Sequence, residues 1–490
     1  MKQIIIVGSG IGGLSAAALL GKAGYSVTVL EKNEQPGGRA SKLTAKGFTF
    51  DMGPSWYLMP DVFETFYKEF GKKPSDYFTL KKLDPSYKIF FGSKDTVLVP
   101  STYSKVAKLF DGFEENGKEK LDKYINRSEF LYKESIKNFV YQDYKSFKDF
   151  AKKDLLFKAT KIPLFENIDQ YTKKFFSSDK ARKILMYNIV FLGGTPKNTP
   201  ALYSLMSYID FKMGVWYPLG GISAFIDSLV SLCKDYNVKV IYNTEVKKLE
   251  IKNGVVSKIL TNKKTYTADT VVMNADYHFA ETKLLPLKYQ SYPESFWKKK
   301  TIAPSAFILY LGINKKLSKL THHNLFLDND WTKHFDSIFK NPSWPKDPSY
   351  YVCVPSKTDP NVAPRGMENV FVLVPVAAGL KDTPEIRKKY TQKVIKHLEE
   401  LIGEEFSENI VYKKTFAHAD FAKRYNAYKG TGLGLSHTLL QTAIFRPHHV
   451  SKKVKNLYYT GQYTHPGIGM PVCLISSTIV SNLIQKDNEK

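Results

Sequence analysis

Lys2 to Val7 is a short run rich in Ile and Val, apolar without interruption from Ile4 to Val7, the pattern of a strand buried on both faces. Gly8-Ser9-Gly10-Ile11-Gly12-Gly13 follows at once, and Leu14 to Ala23 then reads as a helix of small and apolar residues. A second apolar strand, Ser26 to Leu30, completes the unit. The same texture returns further on: Pro218-Leu219-Gly220-Gly221 opens a helical stretch, Val238 to Tyr242 and Thr270 to Met273 are strands, and Lys247 to Leu260 is a hairpin. Near the C-terminus, Asn456 to Gly461 is a strand ending in glycine and Val472 to Ile484 a helix, with Pro471 suited to its first turn. Ala306 to Leu311 and Val370 to Ala378 predict strands of a separate sheet, while Tyr132, Ile136, Phe139, Val140, Tyr144 and Phe147 recur at helical spacing. The chain is therefore read as α/β, and 490 residues at roughly 150 per domain imply two or three domains.

The glycine run carries the first chemistry. Gly8 permits a tight turn, Gly10 lets backbone amides approach a pyrophosphate, and Gly13 lets the helix sit close on the sheet. The helix N-terminus then offers its free amides to an anion. Glu31, just past the second strand, is placed to accept hydrogen bonds from a ribose diol. Gly37-Gly38-Arg39 brings an arginine toward the same pyrophosphate. Phe50-Asp51-Met52-Gly53-Pro54-Ser55 gives a second close approach of backbone, which an NAD site does not ordinarily need. At the far end, Thr464-His465-Pro466-Gly467-Ile468-Gly469-Met470-Pro471 leads into the last helix, whose amides can stabilise negative charge beside them.

Charge and cysteine content narrow the setting. A net charge of +25 favours an anionic partner, and the stretch from Leu131 to Lys183 holds 13 basic residues against seven acidic ones with eleven aromatics interleaved. No zinc spacing or recognition motif points to nucleic acid, so the expected partner is an anionic membrane surface. Cys233, Cys353 and Cys473 lie too far apart in sequence to suggest a metal site or a disulfide framework. No nucleophile elbow is evident. The uncharged stretch at the C-terminus is broken by Gly461, Pro466, Gly467, Gly469 and Pro471, and what remains is too short to span about 30 Å of hydrocarbon. A cytoplasmic, peripherally membrane-associated protein is expected.

From Ile4 to Ser55 the chain resembles the FAD-dependent amine oxidase and carotenoid desaturase superfamily. Its Thr-His-Pro-Gly segment followed by Gly469-Met470-Pro471, with Val215 to Gly221 and Phe191 to Gly194, is similar to bacterial-type phytoene desaturases and hydroxycarotenoid 3,4-desaturases. The resemblance implies a Rossmann-like FAD-binding domain (1–90, 215–290 and 440–490), a mixed-sheet substrate domain (91–120 and 291–439) and a helical, membrane-facing or lid subdomain (121–214). It also implies that FAD is held by Gly8, Ser9, Gly10, Ile11, Gly12, Gly13, Glu31, Lys32, Gly38, Arg39, Gly53, Pro54 and Ser55, by Val246 at the adenine, and by Asn274, Gly461, Gly469, Met470 and Pro471. Gln462 departs from the pattern, since many flavin oxidases carry an acidic residue there to hold the ribityl chain.

The implied activity is desaturation of an acyclic carotenoid by hydride transfer to flavin, either early on phytoene or late at the 3,4 bond of a hydroxylated carotenoid, with oxygen or a quinone as reoxidant. A flavin-dependent carotenoid isomerase and an amine or porphyrinogen oxidase are the alternatives. Asp149, in Ser146-Phe147-Lys148-Asp149-Phe150, matches a family segment given an acid/base role, and His465 is the second catalytic candidate.

Overall fold

The computed structural model describes residues 1–144, 163 and 165–489. Its first layer is a five-stranded, all-parallel sheet in the order Leu457–Tyr459, Thr270–Met273, Gln3–Val7, Ser26–Leu30, Lys239–Ile241. Gln3–Val7 lies at the centre, hydrogen-bonded on both edges, and Ile4, Ile5 and Ile6 are buried. That is why the run is apolar without alternation. The helix Ile11–Lys22 packs against both Met470–Asn488 and Ile222–Asp235. Being covered on several sides, it needs small side chains, and Ala16, Ala17 and Ala18 are all fully buried.

Ser26–Leu30 and Thr270–Met273 have the bounds the sequence predicts. The first helix begins at Ile11 rather than Leu14, because Gly12 and Gly13 form its first turn instead of belonging to the loop. The last helix begins at Met470, so Pro471 sits inside its first turn, where its missing N–H leaves no intrahelical bond unmade.

The second layer is a seven-stranded mixed sheet in the order Ile410–Phe416, Ser305–Ile313, Glu368–Val376, Tyr350–Cys353, His323–Phe326, Tyr87–Phe90, Thr96–Val99. Every residue of Ser305–Ile313 is buried. Ala306, Ile308 and Tyr310 enter one apolar cluster, and Phe307, Leu309, Leu311 and Ile313 enter another together with residues of the helix Pro384–Ile402. Period-two alternation is present in space but invisible in hydropathy, because both faces are dry. Tyr87–Phe90, which a boundary at residue 90 leaves with the nucleotide-binding part, pairs in parallel with His323–Phe326.

The helix Gly117–Asn138 stops before Phe139, so the periodicity read through Tyr144 covers a helix and the turn after it. Its aromatic side turns inward: Tyr132 is buried and donates to Asp61. Phe147 and Asp149 lie outside the described residues. Among the described residues no helix is long and apolar enough to cross a membrane.

Candidate cofactor and substrate site

The turn after Gln3–Val7 is held by Gly8, whose φ of 101° suits glycine and whose amide donates to the Leu30 carbonyl at 2.8 Å. A Cβ on Gly13 would stand 2.1 Å from the Gly8 carbonyl oxygen, so only glycine lets the helix rest on the turn. No side chain caps the helix at Gly10, which leaves its first amides to a ligand. Asn274 packs into this corner. Its Nδ2 donates to the Gly8 carbonyl at 3.3 Å, and a Cβ on Gly10 or Gly12 would meet its side-chain amide at 2.9 or 2.8 Å.

Glu31 is buried with its carboxylate fixed by four donors: the Ser9 amide (2.8 Å) and hydroxyl (2.7 Å) on one oxygen, and the Asn33 amide (2.8 Å) and side-chain Nδ2 (2.9 Å) on the other. Lys32 donates to the Lys423 carbonyl and to Asn426 Oδ1, and burial lowers its pKa. Arg39 lies over the Tyr425 ring, 4.0 Å from Asp276, and its buried Nε has no partner. The Nε2 of Gln462 is likewise buried without a partner. Asp276, which accepts from the Tyr463 hydroxyl at 2.7 Å, is held above the usual carboxylate range, chiefly by burial and against the pull of Arg39.

One cavity of about 500 Å³ joins these groups to the space under the seven-stranded sheet. Gly8, Gly10, Ile11, Gly12, Glu31, Lys32, Gly38, Arg39, Gly53, Pro54, Ser55, Val246, Asn274, Gly461, Gly469, Met470 and Pro471 all line it. Ser9 and Gly13 stand just behind that wall, the first fixing Glu31 and the second seating the helix. His465 is not among the lining residues. It is buried, its Nε2 donates to the Phe139 carbonyl at 3.2 Å, and burial together with the nearby His449 pushes its pKa down to about 3. The far part of the cavity is lined by Trp56, Leu58, Met206, Ile209, Ile308 and Leu373. The charged lining residues Glu31, Lys32, Arg39, Glu245, Asp276 and Arg424 group around the nucleotide-binding elements, where Arg39 faces Asp276, Lys32 faces Glu245 and Arg424 pairs with Glu34.

The fit to a flavin dinucleotide is direct. Uncapped helix amides and an arginine with an unpartnered Nε suit a pyrophosphate, and the unpartnered Gln462 amide suits a hydroxylated chain. Gln462 can donate where an acidic residue could only accept.

Sequence reasoning missed a second group. His323 is stacked on Trp56, bonded to Tyr351, and close to His322 and Cys353; His322, His323 and Cys353 each offer a donor atom within 4.8 Å of the other two. Two adjacent histidines at the start of an apolar strand were the available signal.

Comparison with known proteins agrees with this geometry. Residues 11–485 match the family described as flavin containing amine oxidoreductase. A carotenoid 3,4-desaturase from Haloarcula japonica is 46% identical, the match covering 99% of this chain and 98% of that one. The chain belongs to the carotenoid desaturases of the flavin-containing amine oxidoreductase family. Another relative of this family member, a zeta-carotene-forming phytoene desaturase from Myxococcus xanthus, is 31% identical over 98% of this chain and 93% of its own. The crystal structure of an oxidoreductase from Methanosarcina mazei superposes with a TM-score of 0.63 at 17% identity, covering 100% of both chains, which establishes the shared fold.

Proposed function

We propose that this family member is an FAD-dependent desaturase that introduces a C=C bond into an acyclic carotenoid, with the 3,4 bond as its position. The observation that carries the reading is the division of one cavity into a charged end, built from the nucleotide-binding elements, and an apolar end. The 46% identity to a 3,4-desaturase, against 31% to a phytoene desaturase, favours the late step over the early one.

FAD, when bound, accepts a hydride from the substrate. The chain's own residues do the rest. Gly8 to Gly13, Glu31, Arg39 and Gln462 hold the dinucleotide, while Trp56, Ile308 and Leu373 exclude water and align a hydrocarbon with it. Uptake from an anionic membrane surface fits the net charge of +25 and the outward side chains of Phe165 (92% exposed) and Leu440 (66%). Oxygen or a quinone serves as final acceptor.

The test is to mix purified, FAD-loaded protein anaerobically with phytoene, lycopene and a 1-hydroxylated acyclic carotenoid. Loss of flavin absorbance together with a longer chromophore is expected for the hydroxylated substrate. A product of unchanged hydrogen content over a reduced flavin would instead identify an isomerase.

A further inference from the structure

Two imidazole nitrogens behind the chamber wall are buried without a hydrogen-bond partner: Nε2 of His322 and Nε2 of His323, in side chains 4% and 0% exposed. A buried polar atom left in that state is costly. The other nitrogen of each ring is engaged. Nδ1 of His322 is 2.7 Å from the Thr358 hydroxyl, and Nδ1 of His323 is 2.6 Å from that of Tyr351. With Nδ1–H donated to each oxygen, the lone pair of each ring falls on Nε2, which is how metal-binding histidines are oriented by their outer partners. Burial keeps both rings neutral, the form that binds a metal.

Cys353 completes the group. It lies directly across from His323 where Tyr350–Cys353 pairs with His323–Phe326, so the two side chains share a face. The rings of His322 and His323 have centroids 4.5 Å apart, and each of the three residues offers a donor atom within 4.8 Å of the other two. Cys353 is 1% exposed. Burial pushes its thiol up, while hydrogen bonds from the Tyr351 and Ser55 hydroxyls pull the other way, toward the thiolate.

We propose that His322, His323 and Cys353 bind one copper(I) ion, through the two Nε2 atoms and the Cys353 sulfur. Two imidazoles and a thiolate select copper(I) or zinc(II) over the hard cations. Charge and coordination number then decide. On binding, the thiol releases its proton to solvent, and copper(I), one thiolate and two neutral imidazoles sum to zero charge. Zinc(II) in the same set would bury one uncompensated positive charge and lack a fourth ligand, since no further His, Cys, Asp or Glu joins the group among the described residues.

The ion would clip two strands of the seven-stranded sheet together and brace the chamber from behind. Trp56, stacked on His323 with centroids 4.1 Å apart, and Tyr351 both line the cavity. The proposal is independent of the desaturase reading, because it takes nothing from the flavin or the substrate.

The experiment titrates metal-free, FAD-loaded full-length protein anaerobically with copper(I), and separately with zinc(II), against a coloured chelator for each. Wild type is expected to take up one equivalent of copper(I), to show a thiolate-to-copper band in the ultraviolet difference spectrum, and to melt at a higher temperature once loaded. Zinc(II) should be held more weakly. Cys353→Ser, His322→Asn and His323→Asn should each bind copper(I) at least about 10²-fold more weakly, and Cys353→Ser should lack the band. Thr358→Val touches no metal but releases His322 Nδ1, and should cost about 10-fold.

Wild type that takes up no copper(I), or copper(I) held equally tightly after all three ligand substitutions, would overturn the proposal. Should the ligand variants fail to fold, as judged by loss of their flavin spectrum, wild type and Thr358→Val decide: no thiolate-to-copper band in the first and undiminished affinity in the second sink the site. Zinc(II) taken up in preference overturns copper(I) as its occupant.

Discussion

The two ends of the cavity are built in opposite ways. At the nucleotide end, the chain's backbone is the site: Gly8 to Gly13 form one unbroken segment, and a single added methyl group at Gly13 would collide with a carbonyl oxygen at 2.1 Å. At the chamber end, side chains are the site. Trp56, Ile209, Ile308 and Leu373 come from distant parts of the chain and share only their position around a void. A backbone-built site is specified locally and fails abruptly, whereas a chamber built of side chains is specified by packing and degrades by degrees.

The largest expected effect tests the abrupt half of that contrast. Gly13→Val must move the helix Ile11–Lys22 off the turn, and the uncapped amides go with it. The purified protein should be colourless and should take up FAD at least about 10²-fold more weakly, as read by flavin absorbance and titration. A yellow, active Gly13→Val enzyme would mean that the nucleotide end is as forgiving as the chamber.

That contrast also explains how far the sequence could be read. The bounds of Ser26–Leu30 and Thr270–Met273 are legible in the sequence because a buried parallel strand is a largely apolar run, and the glycine fingerprint is legible because of the close approaches it serves. Helical spacing in the sequence runs past the end of Gly117–Asn138 because Val140 and Tyr144 keep it in the turn that follows, Val140 packed on a core cluster and Tyr144 buried. Asp276, three residues past the strand Thr270–Met273, carries no signal in the sequence, because its meaning depends on Arg39 and Tyr463 arriving from remote segments. The Ser55, Tyr351 and His323 network spans 296 and 28 positions at its two links, and no local pattern announces it.

Arg39→Met gives the next largest effect. It removes the guanidinium with the unpartnered Nε and leaves Asp276 buried without its cation. Loss of charge-assisted bonds to a pyrophosphate is worth about 2 to 3 kcal/mol, or about 30- to 150-fold in FAD affinity. Fluorescence titration of apoprotein with FAD measures it. Because the backbone cradle survives, saturating FAD should restore colour to Arg39→Met, and failure to do so would place the arginine among the structural determinants of the fold.

On the chamber side, Asp210 is fully buried, accepts from the Tyr87 and Tyr187 hydroxyls at 2.7 and 3.1 Å, and is pushed up to about 7 from 3.8 by burial. The folded chain therefore binds this proton more tightly than the unfolded one. The associated stability is complete below about pH 4 and is lost as pH rises through 7. Asp210→Asn has no charge to bury, so its apparent melting temperature relative to wild type should rise between pH 5 and pH 8. A shift of this size sets a ceiling of ~4 kcal/mol, and relaxation around the second carboxylate oxygen reduces the expected gain to about 1 to 2 kcal/mol. A relative melting temperature that falls over the same interval would show that the two phenols, rather than desolvation, dominate this carboxylate.

The smallest effect is expected at His465, which sits in the segment joining the two ends. Its Nε2 donates to the Phe139 carbonyl, and a pKa near 3 leaves the ring neutral throughout the working range. A side chain that does not titrate between pH 5 and 8 cannot contribute a limb to the pH profile in that interval. Asparagine can supply the same donor, so His465→Asn should lower kcat/KM by no more than about threefold and leave its pH dependence unchanged. Loss of an acid or basic limb in His465→Asn would return this histidine to the chemistry, and would make the joining segment, rather than either end, the seat of proton transfer.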